Sequence, residues 1–285
     1  MPRNPRAFME NRVYEYCTRA VQGIPLPSNK TTTALITGVL GKSFGENSVD
    51  LFHGVYMGNH CHLVVSPQSS FSFHKGYGEV NKRLTESVKV LTKREKLKLW
   101  EERAYPTFLA NMEDVLYKIA YAYGNPASAG LCDSIDDFPG FSTWKAFLAC
   151  DTEVDAQVVM EGTYVKASYL PALPKTNQLS LEEDVQYAEA IKNHAVGQKV
   201  KLVVKPYAWL KYYGITKRKE VMEIREQIIT RVRWIERAVR ESRRKRGLLP
   251  LGAKRLITTK FMKHHDPKKR SKRKLYLFCH DLKDR

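Results

Sequence analysis

Apolar and polar residues alternate along two neighbouring segments in the first quarter of the chain. From Val49 to Met57, apolar residues recur at nearly every second position, which is typical of a β-strand with one buried face. Residues 60–65 form a second such run, and Gly58-Asn59 between the two is a tight-turn signal, so the pair predicts a β-hairpin. Similar runs predict an earlier strand over residues 12–19 and a short later strand over residues 199–205.

Helical periodicity, with apolar residues three or four positions apart, marks four further segments. Ser28 is the expected N-cap of the first helix. Asn125-Pro126 is expected to end the third, because the residue before a proline is disfavoured in helical geometry. The last helix is long and basic, so its apolar stripe must pack on the rest of the chain or on a partner helix. The predicted helices cover residues 29–40, 80–99, 113–123 and 220–245.

The composition permits a folded domain and argues against several classes of protein. With 285 residues, 43% of them hydrophobic and 11% aromatic, the chain can bury a sizeable core, which argues against wholesale disorder. No apolar run has the length of a membrane span, and the first residues lack the apolar segment of a signal peptide. The five cysteines are scattered without a Cys-x-x-Cys pair, which argues against a disulfide framework or a cysteine zinc site and favours a reduced, cytoplasmic protein.

Most of the positive charge lies in the last third of the chain. Residues 199–285 hold 28 of the 48 Lys and Arg residues but only 8 of the 30 Asp and Glu residues, whereas the remainder is close to neutral. This segregation indicates a region that holds a polyanion, and nucleic acid is the expected one, with a solvated basic tail as the alternative. Residues 205–213 interleave lysines with Tyr and Trp, as a groove for single-stranded nucleic acid or a small hydrophobic cluster would.

Two histidines stand one residue apart in the second strand of the predicted hairpin. Alternate side chains of a strand share a face, so His60 and His62 project together while Cys61 points into the core. Two imidazoles held side by side could supply two ligands of a metal ion. The competing interpretation is that each is a hydrogen-bonded core histidine.

A tyrosine and an asparagine near the end of the third predicted helix could complete such a site. Tyr121 and Asn125 are four residues apart, so they lie on one face of a helix. If that face packs on the histidines, a hydroxyl and an amide oxygen arrive there together. Core packing followed by a helix stop at Pro126 explains the same residues, so both interpretations stay open at this point.

Four ordered segments within residues 10–147 resemble those of one family. Met57-Gly-Asn-His-Cys-His-Leu resembles the His-hydrophobic-His (HUH) motif in its usual Met-Pro-Asn-His-Val-His-Leu setting. Tyr121-Ala-Tyr-Gly-Asn-Pro-Ala-Ser-Ala-Gly-Leu is similar to the family's Tyr-Ile-x-x-Asn-Pro-Val-x-Ala-Gly-Leu. Residues 99–103 and 138–144 resemble its Trp-x-x-Arg and Tyr-Pro-x-Ser-Ser-Trp segments. The chain thus resembles single-tyrosine HUH transposases, the single-strand DNA transposases of insertion sequences and their relatives associated with repetitive extragenic palindromes.

The resemblance implies an α+β fold and a DNA-joining chemistry. It implies a central antiparallel sheet with the histidine strand in its middle and helices on one side, the ferredoxin-like or RRM-like HUH nuclease fold. His60, His62 and Asn125 would hold a divalent ion, Mg²⁺ or Mn²⁺, as a Lewis acid at the scissile phosphate. Tyr121 would then attack phosphorus and form a 5′-phosphotyrosine link, with Tyr117, one helical turn back, as the runner-up nucleophile.

The domain organisation that follows has three parts. Residues 1–148 are the expected HUH domain, residues 149–198 a connecting region, and residues 199–285 a basic, largely helical region that binds nucleic acid. The expected partner is single-stranded or hairpin DNA at the cytoplasmic nucleoid, without a membrane and with a homodimer as an option. The expected DNA contacts are basic residues of the last helix and of a cluster in the tail: Arg231, Arg233, Arg237, Arg240, Lys268, Lys269 and Arg270.

Other functions compete with this one. A non-mobile, domesticated relative of the same fold could bind hairpins or palindromic repeats without turnover, although the intact His, His, Tyr and Asn set argues against decay. HUH replication initiators and relaxases place the tyrosine differently relative to the histidine strand. A basic RNA-binding module would leave the histidine pair unexplained.

Overall fold

The computed structural model describes residues 8–21, 23–101 and 106–263. The described residues do not include Arg103, from the segment that resembles Trp-x-x-Arg, or the basic cluster with Lys268, Lys269 and Arg270. Within them the strands are β1 (Tyr14–Arg19), β2 (Val49–Tyr56), β3 (His60–Pro67), β4 (Thr107–Phe108), β5 (Val158–Tyr164) and β6 (Gln198–Val204). The α-helices are α1 (Lys30–Asn47), α2 (Ser70–Leu91), α3 (Met112–Ser128), α4 (Trp144–Ala149), α5 (Leu181–Lys192), α6 (Arg218–Lys245) and α7 (Ala253–Ile257).

The strands form one mixed sheet in the order β4-β1-β3-β2-β6-β5. The predicted hairpin is present, because β2 and β3 pair antiparallel across the turn at Gly58-Asn59, and β1 pairs antiparallel with the other edge of β3. The histidine strand therefore lies inside the sheet, as expected. The parallel junction of β2 with β6 rests on one residue pair, Leu51 with Val204.

Helices cover both faces of this sheet, so the expectation of helices on one side was wrong. Alternation along β3 explains why two cores form: Leu63 belongs to a cluster with α1 and α2, and Val64 belongs to a second cluster with α3 and α6. The long helix α6 begins two residues before the predicted start, and its apolar stripe packs against α3. Its partner is thus found within the same chain.

The first two helices differ from their predicted bounds. Asn29, not Ser28, caps α1, since its side chain accepts from the backbone N–H of Thr32 at 2.9 Å. This helix continues past the predicted end at residue 40 to Asn47. Gly41 lets the helix approach β6 closely, since a Cβ added at Gly41 would lie 3.0 Å from Val200 Cγ2. The helix predicted over residues 80–99 is α2, which begins at Ser70 and ends at Leu91.

The sheet continues across the expected boundaries at residues 148 and 198. β5 comes from residues 149–198 and β6 from the basic region, yet both are strands of the same sheet, and α5 packs in the core cluster of α1 and α2. Within residues 205–213, the side chains of Tyr207, Trp209 and Leu210 are fully buried, so this segment is a hydrophobic cluster and not a nucleic-acid groove. Among the described residues, no helix combines the length and apolar character needed to cross a membrane.

Candidate functional site

The two histidines of β3 lie side by side beneath helix α3. Their ring centroids are 5.2 Å apart with the rings nearly perpendicular, and both residues are buried, His60 at 7% and His62 at 5% exposure. Cys61 between them points to the opposite core, as alternation along a strand requires. The strand thus presents both imidazoles to the same helix.

Hydrogen bonds orient both imidazoles in the same way. Nδ1 of His60 lies 2.7 Å from Asn59 Oδ1, and Nδ1 of His62 lies 2.9 Å from Glu15 Oε1. Amide and carboxylate oxygens only accept, so both Nδ1 atoms donate, and in the neutral rings the lone pair is on Nε2. A protein holds metal-binding histidines in this manner, with an oxygen acceptor on the nitrogen that does not face the ion.

Helix α3 brings Tyr121 and Asn125 to the histidine pair together. The Tyr121 ring stands edge-on to His62 at a centroid distance of 5.3 Å, and Asn125 Nδ2 lies 3.2 Å from His60 Nε2. Asn125 is 3% exposed, so packing keeps its side chain next to His60. The spacing of four residues therefore places one side chain over each histidine.

The neighbouring tyrosines occupy different environments. Tyr117 is stacked on Tyr121 at 6.3 Å and is 47% exposed. Tyr123 is fully buried on the other side of the helix, where its hydroxyl contacts His53 Nδ1 and Thr143 Oγ1, each at 2.8 Å. Burial raises the pKa of the Tyr123 hydroxyl far above its usual value. Of these three tyrosines, Tyr121 combines partial exposure with a histidine contact.

Two charged residues that the sequence analysis missed complete the surroundings. Glu15 of β1 is 5% exposed and contacts both His62 and the ammonium of Lys118, which lies 2.7 Å from Glu15 Oε2. Burial alone would raise the pKa of the Glu15 carboxyl, but the hydrogen bond and charge of His62 and the ammonium of Lys118 outweigh it, so the pKa is lowered. The available signal was a lone acidic residue within an apolar strand, where a charge needs a partner.

The donor set fits a divalent ion with one adjustment. Nε2 of His60 and Nε2 of His62 would be two ligands, and Asn125 would supply the third through Oδ1 after its amide turns over, since Nδ2 now faces His60. Imidazole nitrogens suit ions such as Zn²⁺ and Fe²⁺, whereas an amide carbonyl oxygen suits Mg²⁺ or Mn²⁺, so the set combines ligands of both kinds. Within the described parts of the chain, no group of three His, Cys, Asp or Glu side chains could hold a metal ion.

The arginines of α6 predicted to contact DNA differ in their present contacts. Arg231 makes a two-pronged ion pair with Glu113, Arg233 pairs with Asp136 at 2.7 Å, and Arg240 lies 3.8 Å from an oxygen of Asp133. These contacts fasten α6 to α3 and to the loop that follows it. Arg237 is exposed, in contrast.

Comparisons with known proteins give one structural match. No protein-family model matches the chain, and no curated protein matches its sequence. A solved structure of a REP-associated tyrosine transposase bound to a REP hairpin is similar to it with a TM-score of 0.44 and 18% identity, over 52% of this chain and 86% of the other. A likeness at this level leaves the function to be argued from the site itself.

Proposed function

We propose that this chain is a metal-dependent enzyme that cleaves and rejoins single-stranded DNA through a 5′-phosphotyrosine link to Tyr121. One observation carries the proposal: a half-buried tyrosine stands against His62 while Asn125, one turn further along the same helix, contacts His60. A nucleophile and three candidate metal ligands thus share one small volume. The sequence resemblance to single-tyrosine HUH transposases assigns the same four side chains to the same roles.

The chemistry follows from the placement of these groups. A bound Mg²⁺ or Mn²⁺ would supply Lewis-acid stabilisation of charge on the phosphate oxygens. The Tyr121 oxygen attacks phosphorus, its O–P bond forms as the P–O3′ bond breaks, the phenol proton passes to solvent, and the leaving 3′-oxygen takes up a proton. Attack by another 3′-OH on the phosphotyrosine reverses the sequence and joins a new strand. The covalent link stores the phosphodiester energy, so no external energy source is needed.

The proposed DNA surface lies on the outer side of α6. Trp234 is 68% exposed on this basic helix, and Arg237 follows it by three residues, so an aromatic ring and a guanidinium lie about one turn apart on the exposed surface. Exposed aromatic rings bind single strands by stacking on bases, and cations beside them contact the backbone. Arg237 and the tail residues Lys268, Lys269 and Arg270 remain proposed DNA contacts.

An adduct assay tests the enzyme against a binding-only relative. The purified chain is incubated with labelled single-stranded hairpin DNA and Mn²⁺, and the products are resolved on a denaturing gel. The wild type and Tyr117→Phe are expected to give a protein–DNA adduct, because phenylalanine at position 117 keeps the ring stacked on Tyr121 and the Tyr117 hydroxyl has no role in bond formation. Tyr121→Phe is expected to give no adduct. An adduct in Tyr121→Phe contradicts the nucleophile assignment. Retained hairpin binding without any wild-type adduct would favour the non-catalytic function.

A further inference from the structure

A single buried carboxylate contacts both halves of the proposed site. Glu15 Oε1 lies 2.9 Å from His62 Nδ1, and Glu15 Oε2 lies 2.7 Å from Lys118 Nζ, while the Glu15 side chain is 6% exposed. The two partners come from different elements, the histidine strand β3 and the tyrosine helix α3. Glu15 itself stands on β1, which pairs with β3 in a register that sets Cys17 opposite His62.

The first contact fixes the imidazole of His62. Because the carboxylate can only accept, it holds the proton on Nδ1 and directs the lone pair of the neutral ring to Nε2. An ionised acceptor also raises the basicity of a histidine ligand, and loss of such an acceptor typically lowers metal affinity 10–100-fold.

The second contact ties helix α3 to strand β1. Lys118 precedes Tyr121 by three residues, so the two side chains share a helix face, and Lys118 Nζ lies 6.0 Å from the centre of the Tyr121 ring. Tying Lys118 to β1 therefore holds the tyrosine ring in its place over His62. The ammonium also adds a positive charge beside the position where a DNA phosphate would react.

We infer that Glu15 is a positioning residue that couples the metal-binding strand to the nucleophile-bearing helix. This inference rests on the proposed function for its purpose, although its contacts do not. A buried ion pair is weak as a stabilising device, since well-packed apolar residues of similar volume often stabilise a core as well. A charged residue at this strand position is thus better explained by the two groups that it orients.

Two variants separate the two contacts. Glu15→Gln keeps the side-chain volume, weakens the acceptor for His62 and releases Lys118. Lys118→Met removes the second contact alone. Asp50→Asn is the matched control, because Asp50 is also a partly buried carboxylate paired with a lysine, Lys205 at 2.6 Å. Asp50 lies on β2, five residues before Val55, which is the residue opposite His62, so it is away from the site.

The measurements begin on the metal-free protein. Nitrogen NMR of the His62 ring reports the proton position, Tyr121 ring signals report its surroundings, and Mn²⁺ titration without DNA reports affinity. In Glu15→Gln we expect a mixed His62 tautomer, shifted Tyr121 signals and about tenfold weaker Mn²⁺ binding. In Lys118→Met we expect shifted Tyr121 signals with Mn²⁺ affinity within about twofold of the wild type. Asp50→Asn should change none of these.

Adduct formation at saturating Mn²⁺ then tests the coupling. We expect the rate to fall about tenfold or more in both Glu15→Gln and Lys118→Met, as a displaced nucleophile requires. If Glu15→Gln keeps the wild-type His62 tautomer and Mn²⁺ affinity, the role of the first contact is overturned. If the Tyr121 signals are unchanged in Lys118→Met, the role of the second contact is overturned. Should Glu15→Gln not fold, Lys118→Met alone decides, and a wild-type rate there overturns the coupling. A wild type without adduct refutes the proposed function, while the NMR and Mn²⁺ measurements made without DNA still decide this inference.

Discussion

Replacing Arg243 with methionine is expected to loosen the junction between α6 and the end of α3. Arg243 is 5% exposed, and its guanidinium donates to the carbonyl oxygen of Ala127, to that of Cys132 at 3.3 Å and to Asp133 Oδ1 at 2.5 Å. Methionine keeps much of the apolar stem and removes every donor. The two carbonyl oxygens then lose a charged partner in a region closed to water.

The magnitude follows from these contacts. Each hydrogen bond from a charged donor contributes roughly 1.5–3 kcal/mol. The pair with Asp133 adds at most about 1 kcal/mol, because that carboxylate is 41% exposed and screened by solvent. Burial of the guanidinium offsets part of this gain, so we expect Arg243→Met to lower the free energy of unfolding by about 3 kcal/mol, the low end for loss of one partner from a buried pair.

Urea unfolding followed by circular dichroism measures the change. Arg237→Met, an exposed arginine on the same helix, is the control and should stay within about 0.5 kcal/mol of the wild type. Arg243→Lys should fall between the two, since it keeps the charge without the planar fork. Equal urea midpoints for Arg243→Met and Arg237→Met would refute the reasoning.

Three further outcomes follow from other contacts. Asp184→Ala should cost about 2 kcal/mol in urea unfolding, because the buried carboxylate caps α1 through the backbone N–H and hydroxyl of Thr31 at 2.8 and 2.7 Å; a wild-type midpoint would contradict this. Gly124→Ala should cost about 1–3 kcal/mol, since the added Cβ would lie 2.7 Å from Ile235 Cγ2, and Ile235→Ala should relieve part of that cost in a double-mutant cycle. Burial alone would raise the pKa of the Asp136 carboxyl, but hydrogen bonds and the nearby arginine outweigh burial and lower this pKa. The ionised carboxyl therefore stabilises the fold fully above the unfolded-state pKa of about 3.9, and this stabilisation is lost as the pH falls through the folded-state pKa. Asp136→Asn should remove this part of the acid dependence of stability.

Local pattern predicted the parts of this molecule whose geometry depends on near neighbours. Alternation placed His60 and His62 on one face, because strand geometry allows no other arrangement. The apolar stripe of α6 predicted that helix to within two residues, since 28 residues of regular spacing leave little ambiguity. Such regularities survive in the fold because tertiary packing uses them directly.

Contacts between distant residues account for what the sequence did not predict. Glu15 meets Lys118 only because β1 passes beneath α3, and no spacing rule links positions 103 residues apart. Arg231 and Glu113 are joined in the same way, so a residue that sequence reasoning assigned to DNA also carries an intrachain ion pair. Charge counts indicate how many cations a region holds, but the packing of α6 decides which of them remain for a ligand.

Helix α3 continues through Pro126, and this affects the position of a candidate site residue. The helix was predicted over residues 113–123 with Asn125-Pro126 as its stop signal, yet it runs from Met112 to Ser128. The carbonyl groups in the last turn of the helix find other donors: the N–H of Leu131 bonds the Pro126 carbonyl at 2.9 Å, and Arg243 bonds that of Ala127. Because the backbone stays helical through Asn125, this residue keeps the face of Tyr121. A helix that ended before Asn125 would not bring this amide to His60, so the helical geometry up to the proline is what sets Tyr121 and Asn125 over the two histidines.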